Sequence, residues 1–220
     1  PETSDVEIAA IDAENETLRV GADGFIEKAA VGEVGLLLSA ARHRFATNGP
    51  VLSDVFAPHD RWELSNHLFR TDSAADLWYM GATDSVIVSR DGSVYRPPIE
   101  QALSFARGVD QVTAYRVQVG GGLAAGGDDL AVAAITARAG SASAVTVSTL
   151  RAALGRLPAQ ERPHLITMVD SIELSESYRP LSSSLAAQGV PKPGARVWYR
   201  DDEGRYRRFT KAVATERGWE

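Results

Sequence analysis

An α+β fold with a mixed, mostly antiparallel sheet is what this sequence predicts, and three observations carry the prediction. Short segments of alternating polarity flank the turn residues Arg90-Asp91-Gly92 and Asp201–Gly204, which marks hairpins at about 84–96 and 196–210. Other stretches, such as Ile99–Arg107 and Val145–Leu157, space their apolar residues with a helical period, so several packed helices are expected. The two kinds of element mix along the chain with no regular βαβ repeat, which argues against a parallel doubly wound sheet.

Taken in order, residues 1–16 read as a loose acidic lead-in, and 17–220 as a single domain. Thr17–Lys28 gives two short extended pieces around the turn Ala22-Asp23-Gly24. Ala29–Ala46 has Val31, Val34, Leu37, Leu38, Ala41 and Phe45 at helical spacing and stops at Asn48-Gly49-Pro50. Pro58 divides Leu52–Leu68 into a short piece and a helix-like Trp62–Leu68. Ser73–Met80 is expected as one or two helical turns capped by Asp72 or Ser73.

After the first hairpin, Pro97-Pro98 ends the strand and a helix follows. Gln111–Val119 alternates as a strand does, and Gly120–Gly127 is a loop, the place where a two-lobe division would fall. Asp128–Arg138 reads as a helix with an Asp cap, and Val145–Leu157 as another ended by Pro158. His164–Val169 is a buried-type strand, Pro180–Gln188 a short helix closed by Gly189, and Arg196–Thr210 the second hairpin.

Composition excludes several chemistries. The chain has no cysteine, so disulfides, thiolate catalysis and cysteine-held metal clusters are out. No apolar run reaches the roughly 18 to 20 residues that span a bilayer; Leu123–Ala139 is interrupted by Gly126, Gly127, Asp128 and Asp129. The acidic N-terminus lacks a secretory pattern, so a soluble, cytoplasmic protein with no membrane partner is expected. Arginine far outnumbers lysine, which suggests a bacterial source.

His43, His59, His67 and His164 form no paired ligand spacing, so no metal is expected. GxSxG, SxxK and the phosphate-binding GxxxxGK[ST] are all missing, and serine-hydrolase and P-loop readings lack support. Gly120, Gly122 and Ala125 do satisfy GxGxxA, but Asp128 and Asp129 would repel a phosphate there, which favours a connecting loop.

Charge is unevenly placed. The net charge is −6, yet Val190–Glu220 holds eight of the 23 Lys and Arg against five acids, while the first thirty-three residues hold nine acids against Arg19 and Lys28. The C-terminal hairpin interleaves aromatics with arginines, a pattern suited to an anionic surface. The expected function is therefore a cofactor-free, acidic partner-interaction module that binds another protein, or a nucleic acid, through Arg200, Arg205, Tyr206, Arg207 and Arg208.

Two local patterns supply alternatives. Ile135–Leu150 (ITARAGSASAVTVSTL) resembles the helix-turn-helix of bacterial repressors. That resemblance implies Ala137 as the small packing residue, Ser143 as the cap of the second helix, and Thr146 and Ser148 facing DNA. The usual turn glycine and its apolar follower are replaced by Ser141 and Ala142. Leu68–Ser73 (LFRTDS) resembles the opening strand of cholera-toxin-like ADP-ribosyltransferases. This implies an NAD-dependent enzyme with Arg70 on the cofactor phosphate, Asp72 beside it, Ser182–Ser184 as a second element, and Glu216 or Glu220 as the catalytic acid. No Glu lies between Glu100 and Glu161, where a compact arrangement would place it.

Overall fold

A computed structural model describes residues 5–12, 17–41 and 49–219. It has the expected α+β character, and the chain divides into two compact units, Pro1–Ser85 and Val86–Glu220. The 120–127 segment lies inside the second unit, between two strands.

The first unit is an antiparallel sheet. Its strands are β1 (Val6–Asp12), β2 (Thr17–Leu18), β3 (Val34–Ala40), β4 (Val51–Ser53), β5 (Arg61–Thr71) and β6 (Leu77–Ala82). The order is β2-β1-β3-β5-β4, with β6 also paired to β5. Ile8, Ala9, Ala10, Leu36, Leu38, Trp62, Leu68 and Met80 are buried in it.

Four sequence expectations are corrected in this unit. The loose lead-in contains β1, and the helices expected over 29–46 and 62–68 are strands β3 and β5 where described. The helical turns expected over 73–80 give way to β6. Gly35 was the overlooked sign: a Cβ there would stand 2.3 Å from the Ala9 carbonyl oxygen, so β1 and β3 approach closely only because it is glycine. His43, expected on a helix face, lies outside the described residues. The acids of this unit meet its bases locally, Glu27 and Glu33 on Arg19 at 2.6 and 2.8 Å and Glu7 on Lys28 at 2.7 Å.

A loop between β4 and β5 is organised by one carboxylate. Asp60 accepts hydrogen bonds from the backbone of Val55 (2.6 Å), Phe56 (2.9 Å) and Ala57 (3.0 Å) and from Trp62 Nε1 (2.8 Å). Partial burial raises its pKa, but these four donors outweigh that and hold it below the ordinary carboxylate value.

The second unit begins with the hairpin β7 (Ile87–Ser89) and β8 (Gly92–Val94), as expected, followed by helix α1 (Arg96–Ser104). Pro97 and Pro98 start that helix, where a missing N–H costs nothing. The sheet that follows contains β9 (Val109–Val119), β10 (Asp128–Ala137), β11 (Leu165–Met168), β12 (Val197–Arg200) and β13 (Tyr206–Arg208), in the order β13-β12-β11-β10-β9. Only β10 and β11 run parallel, and α2 (Val147–Leu154) lies in the connection between them. Helices α3 (Ser183–Ala187) and α4 (Lys211–Arg217) complete the unit.

Strand β10 corrects the helix expected over 128–138. From Leu130 to Ile135 every side chain is fully buried. A strand covered on both faces shows a continuous apolar run and not an alternating one. One face packs under Ile99, Leu103, Leu150 and Leu154 of α1 and α2; the other packs under Phe209, Ala214 and Trp219. Each fully buried leucine contributes roughly 2 kcal/mol.

Candidate functional site

The clearest polar constellation lies at the tip of the β7–β8 hairpin. Asp91 Oδ2 accepts a hydrogen bond from Arg200 Nη2 at 2.7 Å and stands 3.6 Å from His164 Nε2. Arg200 closes β12, and its Nη1 donates to the Ala159 carbonyl. His164 immediately precedes β11, where its Nδ1 accepts the Ala131 backbone N–H at 2.9 Å. An acceptor at Nδ1 places the proton of the neutral ring on Nε2, pointed at Asp91.

Burial is lopsided here: the side chains of Arg200 and His164 are 8% and 5% exposed, and Asp91 is 59% exposed. Nε2 makes no hydrogen bond, and a buried donor left so costs about 1–3 kcal/mol. Burial, reinforced by the Arg200 charge, holds His164 down to about 4, against the pull of Asp91 and Asp128. The neighbouring Tyr206 hydroxyl is buried, donates to the Pro163 carbonyl at 2.7 Å and titrates well above its ordinary range because of burial.

The adjacent Arg90 fastens the same turn to the glycine loop. Its backbone N–H donates to Asp128 Oδ1 at 3.0 Å, while its guanidinium donates to the carbonyls of Gly126 (2.7 Å) and Gly127 (3.1 Å). Gly120–Gly127 joins two antiparallel strands and is the connecting loop expected. Gly127 sits so close to β9 that a Cβ would lie 2.0 Å from the Val119 carbonyl oxygen.

The arginines singled out in the C-terminal hairpin are placed differently from one another. Arg200 and Tyr206 are buried, so the expectation that they face a partner is corrected. Arg205 and Arg207 reach the surface, where both pair with Asp201 at 3.3 and 2.6 Å, and Arg205 also meets Glu203. The Arg207 hydrogen bond, aided by Arg205, brings Asp201 down to about 2. Arg208 is exposed opposite Trp198. The cations of this ribbon are thus largely matched by the acids of its own tip.

The helix-turn-helix pattern does not form its expected shape, whereas Leu68–Thr71 does lie on a strand, β5, as the other resemblance implies. Ile135–Ala137 ends strand β10, so the first helix of a helix-turn-helix is replaced by a strand. Ser143 lies in a 3-10 turn, Ser148 in the first turn of α2, and the helix cap is Thr146, which exchanges hydrogen bonds with Thr149 in a capping box. Arg138 donates to the Val109 carbonyl at 3.0 Å.

Arg70 lies on β5 opposite Val34 and Trp78. Asp72 holds the β5–β6 turn, accepting Trp78 Nε1 at 2.9 Å and the N–H groups of Ala74 and Asp76 at 2.9 and 3.0 Å. Those two residues belong to the first unit and Ser182–Ser184 to the second. His59 adopts a positive φ of 66°, and His67 meets the Tyr79 ring edge-on at 5.8 Å. Among the described residues no group of three or more His, Asp or Glu could hold a metal ion, and no helix is long and apolar enough to cross a membrane.

In the sequence Asp91 reads as a turn residue and His164 as a strand start. The available signal was a histidine set directly before an apolar strand, where it would be buried.

No family model matches the chain, and no curated protein is significantly similar to it. Solved structures do share its fold. Apo MatB from Rhodopseudomonas palustris aligns with a TM-score of 0.59 at 14% identity, covering 86% of this chain and 35% of that one. The amide bond synthetase McbA from Marinactinospora thermotolerans gives 0.58 at 17% identity, covering 84% and 35%. O-succinylbenzoate Coenzyme A synthetase (MenE) from Bacillus subtilis, in complex with AMP, gives 0.52 at 14% identity, covering 82% and 33%. The chain spans about a third of the length of these proteins, and over that third it has their fold.

Proposed function

We propose that this chain takes part in ATP-dependent activation of a carboxylate, in the manner of the synthetases whose fold it shares. The carboxylate would be joined to the AMP portion of ATP with release of pyrophosphate, and the acyl group then passed to a thiol such as that of coenzyme A, or to an amine, with release of AMP. One observation carries the reading: the fold correspondence covers 82–86% of this chain, in proteins described as ATP-bound, AMP-bound, a coenzyme A synthetase and an amide bond synthetase.

The test is a thermal-shift and calorimetric screen of the chain against ATP, AMP, coenzyme A, NAD and duplex DNA. A ligand that binds the native state raises stability by about 2.7 kcal/mol at a hundred times its Kd. Stabilisation by ATP or AMP, and pyrophosphate release with an added carboxylic acid, are expected. Failure of both nucleotides to bind, with no pyrophosphate released, refutes the reading. A shift with NAD lost in Arg70→Ala would favour a transferase, and salt-dependent DNA binding a nucleic-acid module.

A further inference from the structure

We infer that Arg200 and His164 form an oxyanion site, occupied here by the chain's own Asp91, and that an external carboxylate or phosphate fits the same two donors. This inference needs only the geometry of the second unit and stands apart from the carboxylate-activating reading.

The donors have the character of a built site. Both side chains are more than nine-tenths buried, at 8% and 5% exposure, and both are fixed from behind. Arg200 is held by the Ala159 carbonyl and His164 by the Ala131 N–H, so neither can turn elsewhere. Their free N–H groups converge on one oxygen, Asp91 Oδ2.

The acceptor has the opposite character. Asp91 is 59% exposed and arrives from a two-strand turn, whose Gly92 has φ 119°. Its reach is set by that turn, and it satisfies only half of the site: 2.7 Å to Arg200 but 3.6 Å to His164, whose Nε2 has no hydrogen bond. An oxyanion free of the backbone can settle between the two donors and meet both. Asp128, which also acts on His164, is turned to the N–H groups of Arg90 and Asp129 at 3.0 and 2.8 Å and does not fill the place. With Asp91 truncated, the buried Arg200 guanidinium is left without its counter-charge, a destabilising state that a small oxyanion taking the place of Oδ2 would relieve.

Chemical rescue tests this. Asp91→Ala, Asp201→Ala and the wild type are melted in sodium chloride, sodium acetate and sodium phosphate at matched ionic strength. Asp91→Ala should melt below the wild type in chloride and recover at least half of that loss, saturably, in acetate or phosphate; which anion acts at lower concentration identifies the oxyanion preferred. Asp201→Ala, which removes an exposed partner of Arg205 and Arg207, and the wild type should show only the common, non-saturating salt effect. If Asp91→Ala is unfolded in chloride, the same titration is followed as refolding by far-UV circular dichroism. Equal melting of Asp91→Ala in all three salts, no refolding, or the same gain in Asp201→Ala overturns the inference.

Discussion

Lowering the pH from 7 to 4.5 should destabilise the second unit through His164, and His164→Asn should abolish that part of the loss. The ordinary imidazole value is 6.5 and the buried ring is held to about 4, first by desolvation and then by Arg200. Below pH 6.5 the unfolded chain binds a proton at this position that the folded unit does not. Stability therefore falls with pH through the window from 6.5 to 4, at most about 1.36 kcal/mol per pH unit, and is flat below it. At pH 4.5 the loss relative to pH 7 is about 2 kcal/mol.

An Asn amide oxygen can take the place of Nδ1 as acceptor for the Ala131 N–H and does not titrate, so the variant keeps the backbone contact and loses the pH term. The assay is urea unfolding of both proteins at pH 7 and 4.5, followed through the Ala131 and Ile166 amides by NMR so that the second unit is read alone. The imidazole itself is titrated in parallel. Titration of His164 near 6.5, or equal acid losses in wild type and variant, would show that burial does not control this ring.

Further outcomes follow from other contacts. Asp60→Ala strips four donors of their acceptor and should destabilise the first unit by about 2–3 kcal/mol in urea titrations. Gly127→Ala drives a methyl group into the Val119 and Gly120 carbonyls, 2.0 and 2.6 Å away, and should cost at least about 2 kcal/mol, with loss of protection across the β9–β10 connection in hydrogen exchange. Leu154→Ala, at a fully buried position between α2 and the sheet, should lower stability by about 2–5 kcal/mol. Arg207→Ala, which breaks a pair with the arginine 54% exposed, should change it by less than about 1 kcal/mol.

What could be read from the chain was what its neighbours in sequence decide. The hairpins at 87–94 and 197–208 were legible because Asp91-Gly92 and Glu203-Gly204 supply turn chemistry within four residues. Helix α2 was legible from its spacing and from Pro158 beyond its end, and β9 from its alternation. Strands β3, β5, β6 and β10 were read as helices because a strand buried on both faces, or kinked by a register shift as β5 is, loses the two-residue period.

The candidate site was less legible still. Asp91 meets Arg200 across 109 positions, and nothing local to Arg200 separates a buried, paired guanidinium from the solvated ones at Arg205 and Arg207. Sequence by itself determined the α+β character, the placing of two hairpins and the exclusion of cysteine chemistry. Tertiary structure alone decided which apolar runs are strands and which charges are neutralised, because both depend on what packs against a segment from elsewhere in the chain.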